Sequence, residues 1–264
     1  MAGENFPVAS LLLPRRVRQH LLAVYAFARL VDDVGDEVSG DRVRMLDLIE
    51  ADLDRVYGGG PRLPVMRDLA STIKVCGVPA EPFRRLIQAN RQDQAVVRYD
   101  RFGGLLGYCE LSANPVGHIV LHIFGVATPE RMRLSDKVCT ALQLVEHWQD
   151  VSEDLERGRV YLPLEDLARF DCTESDLVAS RAGPNVRRLM AFETRRAARL
   201  LDEGAPLVRT LGGFARLATA GYVAGGRAAI ASIVERDHDV LSATPHPDKS
   251  RVAREWLRLL VVGR

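Results

Sequence analysis

Cysteine is scarce in this chain: Cys76, Cys109, Cys139 and Cys172 are the only four in 264 residues, widely spaced and without a CxxC pair. Neither a structural zinc site nor a disulfide framework fits that usage, and a reducing cytosol is the simplest compartment. An excess of one charge is also missing. Thirty-six Lys and Arg against 35 Asp and Glu leave a net charge of +1, and the arginines are scattered without a basic block or interleaved aromatics, so nucleic acid is not an expected partner. No signal peptide is expected at the N-terminus, where Glu4 and the Pro14-Arg15-Arg16 break interrupt any apolar region. The longest weakly polar segment, Val116 to Thr128, is too short to span a bilayer and carries His118 and His122.

Motifs of several familiar chemistries are absent too. Gly225-Gly226 is not part of a GxGxxG following a strand, so no nicotinamide cofactor is expected. Ser10, Ser112 and Ser152 lack the G-x-S-x-G setting of a hydrolase nucleophile. His118 and His122 stand at i, i+4, but HIVLH lacks the glutamate of a zinc protease motif and reads as a core pair. No run alternates at period two over strand length, and there is no repeat.

What remains is helical periodicity almost throughout. It predicts helices near 15–38, 41–57, 65–76, 80–94, 104–126, 130–156, 184–203, 207–235 and 249–262. Gly58-Gly59-Gly60-Pro61, Gly77-Val78-Pro79 and Arg157-Gly158-Arg159 mark loops. Length and composition suit one soluble all-helical domain over 1–264, peripheral to a membrane at most. The last helix mixes Trp256, Leu257, Leu259, Leu260 and Val261 with Arg254 and Arg258, a pattern that suits core packing or a membrane surface. The break Ser112-Ala113-Asn114-Pro115-Val116-Gly117 reads either as a proline kink or as backbone carbonyls opened to a cavity.

The most informative stretch is Leu21 to Glu37, LLAVYAFARLVDDVGDE. From Leu21 to Val34 its only charges are Arg29, Asp32 and Asp33, and a helix apolar on nearly every side belongs in an interior. Tyr25, Arg29, Asp32 or Asp33, and Asp36 share one face at helical spacing, so like charges line up one turn apart. Buried unpaired carboxylates would protonate or destabilise the fold, and a divalent cation removes the difficulty. A second acidic stripe follows in Leu144 to Pro163, where Glu146, Asp150 and Asp154 stand at i, i+4, i+8. Two such faces, if they meet across one cavity, suit Mg²⁺ carrying a diphosphate, with Arg29, Arg157 and Arg159 available for the outer oxygens. Either motif alone reads equally well as a solvated acidic turn.

The residues carry a resemblance. The series Tyr25-x3-Arg29-x2-Asp32-Asp33-x2-Asp36-Glu37, Tyr108-Cys109 with Asn114-x-Val116-Gly117, and Gln149-Asp150-x3-Asp154-x2-Arg157-Gly158-Arg159-x-Tyr161-Leu162-Pro163 resembles the squalene/phytoene synthase family over most of the chain. The opening Glu4-Asn5-Phe6-Pro7-Val8-Ala9-Ser10 and the Trp148-Gln149-Asp150 wording most resemble its bacterial hydroxysqualene synthase (HpnC-type) branch. That resemblance implies an all-α, single-domain isoprenoid-synthase-type bundle around a central cavity. It implies conversion of presqualene diphosphate and water to hydroxysqualene and diphosphate, in squalene and hopanoid biosynthesis, with Mg²⁺ or Mn²⁺ as cofactor. The alternatives are head-to-head condensation to presqualene diphosphate, squalene or phytoene, and a non-catalytic partner that holds substrate for such a synthase.

By the same resemblance, Tyr25, Arg29, Tyr108 and Tyr161 are the expected catalytic residues. Ser10, Arg29, Asn114, Gln149, Arg157 and Arg159 would bind substrate, and Asp32, Asp33, Asp36, Glu146, Asp150 and Asp154 would hold metal. Partners would be the prenyl diphosphate lipid, neighbouring pathway enzymes in transient contact, and the inner face of the membrane, approached from the cytoplasm. Two departures stand out: Glu146 replaces the family's usual Asn, and Asp237-His238-Asp239-Val240-Leu241 lacks the tyrosine and the following basic residue that relatives tend to have.

Overall fold

The computed structural model describes residues 13–261; Ser10, with the opening motif around it, and Val262 lie outside the described residues. Among those described there is no strand, and 74% of the structure is helical, which makes the fold all-α. In chain order the helices are α1 (Arg15–Asp36), α2 (Arg42–Gly58), α3 (Pro64–Cys76), α4 (Ala80–Gln92), α5 (Phe102–Ser112), α6 (Asn114–Ile123), α7 (Pro129–Gln149), α8 (Val151–Glu156), α9 (Leu164–Arg169), α10 (Glu174–Leu177), α11 (Pro184–Gly204), α12 (Leu207–Thr210), α13 (Gly213–Glu235) and α14 (Lys249–Val261).

Three long helices expected from periodicity are broken, each for a local reason. The 104–126 run parts at Ala113, because Pro115 brings no amide N–H to continue the ladder. The 130–156 run parts at Asp150, whose φ of -101° and ψ of 18° leave the helical basin. The 207–235 run parts at Gly212-Gly213, where Gly213 takes a left-handed φ of 51°. The short helices α9 and α10 fall in a stretch where periodicity predicts none, since six and four residues are too few to show a period.

By internal contacts the chain divides into two compact units. One contains the described residues 13–96 together with Glu110–Met132. Its spine is α1, which buries Leu21, Val24, Phe27, Val31 and Val34 at three- and four-residue intervals and packs against α2, α3 and α4. Phe27 meets Phe83 edge-on, centroids 5.2 Å apart. The expectation of a helix apolar on nearly every side is corrected here: Leu22, Arg29, Asp32 and Asp36 are exposed, so α1 is amphipathic and its charges sit on the wet face. The helix boundaries follow capping chemistry. Asp41 accepts the Arg44 amide at 3.0 Å to start α2, and Gly77, at φ 63°, ends α3 in a left-handed turn. Buried Asp52 accepts the amides of Arg62 and Leu63 at 2.9 and 2.8 Å and so pins the loop after α2. His118 and His122 on α6 are half-buried rather than core.

The other unit contains Val97–Cys109 and the chain from Arg133 onward. Its core joins Val138 and Ala141 of α7, Leu201 of α11, Ala220, Val223 and Ala224 of α13, and Leu259 of α14. Close approach depends on glycine. A Cβ on Gly204 would lie 2.8 Å from the Val138 amide nitrogen and 2.9 Å from the Leu134 carbonyl, and one on Gly226 would lie 2.6 Å from a Leu142 methyl. Gly226 is thus a packing device. Helix α13 is long and apolar enough to cross a membrane by length and composition, yet more than half of its apolar window is buried within the protein. The expectation that Val116–Thr128 is the longest weakly polar segment is thereby corrected, the isolated Arg216 and Arg227 dividing the apolar run of α13 in the sequence. Helix α14 buries Leu259 and packs Val252, Trp256 and Leu260 on the same core, leaving Leu257 and Val261 56% and 82% exposed.

One buried charge cluster braces this unit. Arg196 Nη1 donates to Asp166 at 2.9 Å and to Glu193 at 3.2 Å, with its guanidinium carbon 3.9 Å above the Phe102 ring centre. Two buried carboxyls share one arginine, and Glu193 is pushed up to about 8, first by burial, then by its hydrogen bond with Asp166 and by repulsion from Asp166 and Glu165.

Two outcomes are expected. Gly204→Ala must push its new Cβ against backbone, and should lower the unfolding free energy by about 1–3 kcal/mol, measured by urea titration. For Glu193, an unfolded chain loses the proton near the ordinary value of 4.5 while the fold keeps it to about 8, so stability falls as pH rises through that window. Glu193→Gln removes the penalty: its Tm should match wild type below pH 4.5 and exceed it by about 5 °C at pH 8.

Candidate functional site

The first acidic motif occupies the last two turns of α1. Arg29 Nε pairs with Asp33 at 2.8 Å, and its Nη2 reaches Glu37 at 3.1 Å; the guanidinium, 55% exposed, therefore spends itself on two carboxylates of its own helix face. Asp32 takes the amide of Asn90 at 3.1 Å, and Gln94 donates to the Gly35 carbonyl at 3.0 Å. Helix α4 and the turn that follows it thus hold the end of α1 through two side-chain amides. Glycine at 35 is required there, since a Cβ would fall 2.0 Å from Asn90 Oδ1. Asp32 is open to solvent by surface area, so protein mass on its other sides, rather than full burial, raises its carboxyl. The Asn90 hydrogen bond opposes that shift, repulsion from Asp36 and Asp33 adds to it, and Arg29 relieves it. Tyr25 lies half-buried on α1 and Asn114 buried at the start of α6.

The second motif straddles the α7–α8 break. The amide of Asp150 still reaches the Glu146 carbonyl at 2.9 Å, and that of Asp154 reaches Asp150 at 2.8 Å, so helical pitch carries through and the Glu146, Asp150, Asp154 stripe survives. All three are half-buried. Asp150 is pushed up to about 6, first by burial, then by repulsion from Glu153 and Asp154, with Arg157 and His246 offsetting part of it. Arg157 is exposed and Arg159 half-buried.

Behind this stripe stands an aromatic wall. Tyr108 and Tyr161 have centroids 5.7 Å apart. Tyr99 lies 5.7 Å from Tyr108 and stacks on Tyr161 at 5.9 Å, and His147 stacks on Tyr161 at 3.6 Å. The chain after α8 is aligned for this by Val160, whose amide donates to Val97 at 2.9 Å beside the isolated Arg98–Val160 bridge. A small cleft is lined by His147, Asp154, Arg159, Tyr161 and Leu177.

The segment after α13 also reaches the second motif. Asp237 and His238 take left-handed φ of 52° and 59°, and Asp239 accepts the Ala182 and Ser242 amides at 2.9 and 3.2 Å and Arg187 Nη2 at 2.9 Å. Thus anchored, the loop presents the Pro245 carbonyl to buried Gln149 and Thr244 to Glu153, the latter at 3.0 Å. The departure from the family's wording at 237–241 leaves this attachment in place.

Of the expected site residues, the structure gathers Tyr108, Tyr161, Gln149, Glu146, Asp150, Asp154, Arg157 and Arg159 around the α7–α8 break, and Tyr25, Arg29, Asp32, Asp33 and Asp36 along α1. Among the described residues no three His, Cys, Asp or Glu side chains converge into a metal-holding group. The donor set nonetheless fits a hard cation: each motif carries crowded carboxylates whose repulsion a cation offsets, and Mg²⁺ needs only one or two of them beside water and phosphate oxygens. Sequence reasoning missed Asn90, Tyr99, His147 and Asp239. Asn90 was findable, being the polar member of the stripe Phe83, Leu86, Ile87, Asn90. The other three are defined by partners distant in the chain.

An all-α fold carrying two crowded carboxylate stripes is chemically suited to an enzyme that handles a cation-escorted anion. The family model for squalene/phytoene synthase matches residues 1–253, and the chain belongs to that family. It is 35% identical over 208 residues to a hydroxysqualene synthase of Rhodopseudomonas palustris, covering 77% of this chain and 70% of that protein. It is 33% identical over 220 residues to a phytoene synthase of Arthrospira platensis, covering 76% and 71%. The crystal structure of squalene synthase HpnC from Alicyclobacillus acidocaldarius is similar at 47% identity and a TM-score of 0.83, covering 88% of each chain.

The Gly35–Asn90 contact is testable. Gly35→Ala should displace the Asn90 amide from Asp32 and lower diphosphate release by roughly tenfold or more, and Asn90→Ala should reproduce the loss. Diphosphate release at the wild-type rate in both would show that Asp32 needs no such support.

Proposed function

We propose that this enzyme converts presqualene diphosphate and water to hydroxysqualene and diphosphate. The observation that carries the reading is the aromatic wall of Tyr99, Tyr108, Tyr161 and His147 directly behind the second acidic stripe. Carboxylates there favour a cation-escorted anion, while π faces beside them stabilise a carbocation. The likeness to the HpnC structure and to hydroxysqualene synthases supports this choice of substrate.

Asp32, Asp33 and Asp36 on α1, and Glu146, Asp150 and Asp154 at the α7–α8 break, are assigned as the residues that hold Mg²⁺, for which Mn²⁺ substitutes. Bound there, the metal would neutralise the diphosphate and make it a better leaving group. Exposed Arg157 and half-buried Arg159 bind the outer phosphate oxygens, as does Arg29 when it leaves Asp33 and Glu37. Tyr108 and Tyr161, with Tyr25, shelter the cyclopropylcarbinyl cation that remains, and Asn114, Gln149 and Ser10 orient substrate. Water then adds to the rearranged cation and loses a proton, giving the alcohol. One chain acts as one catalytic domain. It works in the cytoplasm against the inner face of the membrane, where exposed Leu257 and Val261 flanked by Arg254 and Arg258 suit a lipid surface and from which neighbouring pathway enzymes exchange lipid intermediates with it.

A second reading, head-to-head condensation, is favoured by the similar identity to phytoene synthases. Purified protein with Mg²⁺ in ¹⁸O-labelled water decides between them. Presqualene diphosphate should yield labelled hydroxysqualene with no squalene on adding NADPH, and EDTA should stop the reaction. Presqualene diphosphate accumulating from farnesyl diphosphate, or phytoene from geranylgeranyl diphosphate, would establish the condensing reading instead, and no product from any of the three would leave a substrate-holding protein.

A further inference from the structure

Near the second acidic motif one buried side chain is committed on three sides. His147 stands on the last turn of α7 and is buried. Gln143, one turn earlier, brings its Nε2 to His147 Nε2 at 3.1 Å. With the Gln143 amide donating, that ring nitrogen accepts, which leaves the proton on Nδ1. Nδ1 faces Asp154 Oδ2 across the α7–α8 break at 3.6 Å, within ion-pair range and slightly beyond a direct hydrogen bond. The flat of the ring lies on Tyr161 with an interplanar angle of 16°, so the imidazole cannot swing away without losing that stack, and it cannot turn over without losing the Gln143 contact. Tyr161 is itself fixed by the Tyr99 and Tyr108 rings.

We propose that His147 is a positioning residue for Asp154: clamped between Gln143 and Tyr161, it presents an N–H that sets the direction of the Asp154 carboxylate toward the cation. A residue that merely filled the core would need no nitrogen at either ring edge, whereas both of these point at polar partners. Asp154 lies beyond the break at Asp150, so α7 alone cannot dictate its side-chain direction. A ring anchored on α7 and reaching seven residues onward supplies the missing constraint. Partners one shell out from a ligand commonly govern metal affinity in this way. The inference rests on the assignment of Asp154 as a metal ligand in the proposed function.

The test is Mn²⁺ binding to the purified protein, followed by electron paramagnetic resonance, with far-ultraviolet circular dichroism as the check on folding. His147→Phe keeps the stack and removes both nitrogens; His147→Asn returns an N–H near the place of Nδ1. Mn²⁺ affinity should fall roughly tenfold in the Phe variant and recover in large part in the Asn variant. With presqualene diphosphate the Phe variant should need more Mg²⁺ for half-maximal rate. In an Asp154→Asn background the Phe change should cost no further affinity. Wild-type Mn²⁺ affinity in the Phe variant, or losses that simply add with Asp154→Asn, would overturn the positioning role while leaving the metal assignment standing. Wild-type protein that binds no Mn²⁺ would overturn the metal assignment and the positioning role together. Should the Phe variant not fold, the Asn variant decides: tenfold weaker binding despite the restored N–H would overturn the proposal, and near-wild-type binding supports it.

Discussion

Repulsion between carboxylates spaced one helical turn apart is the constraint that organises this protein. Asp32, Asp33 and Asp36 crowd the end of α1, and Glu146, Asp150 and Asp154 crowd the α7–α8 break. Neither group is left to water alone. On α1, Arg29 bridges Asp33 and Glu37 while Asn90 holds Asp32. At the break, Arg157 and His246 oppose the rise in Asp150, and His147 faces Asp154. These partners hold the charges without cancelling them, and the residual repulsion is of the kind a divalent cation would relieve.

Much of the surrounding structure keeps those carboxylates in place. Gly35 lets α4 come close enough for Asn90 and Gln94 to reach α1. Gly204 and Gly226 do the same for the packing of α7 against α11 and α13. Asp239 organises the loop that meets Gln149 and Glu153. Each is a small or polar residue whose value lies in geometry, and none touches the reacting atoms in the proposed chemistry.

Membership of the squalene/phytoene synthase family explains the two stripes and the all-α fold, but similar identity to hydroxysqualene and phytoene synthases leaves the substrate to be decided inside the pocket. Glu146 adds a carboxylate where relatives usually carry an amide, so this chain accepts extra repulsion at its second motif. His147, in the next position, is placed to restrain the same stripe.

Both acidic stripes and the helical character of the chain were legible from residue order, because i, i+4 spacing and 3.6-residue periodicity are local properties that need no knowledge of the fold, while the tyrosines at 108 and 161 came from the family resemblance. Helix ends at Gly77 and Asp41 were equally local. The breaks at Ala113, Asp150 and Gly212 were only partly so: proline and glycine announce two of them, whereas Asp150 leaves the helical basin without any breaker residue. Exposure of Arg29 and Asp32 was misjudged, since a run of apolar neighbours does not say which of them face a partner helix. His147 behind Asp154 and Asp239 beneath the Pro245 loop were decided by tertiary structure alone, as was the pairing of Asn90 with Asp32, although the polar place of Asn90 on its apolar stripe was legible. Their roles come from partners 7 to 58 residues away in the chain, and a hydrogen bond between distant residues depends on packing that no local pattern encodes.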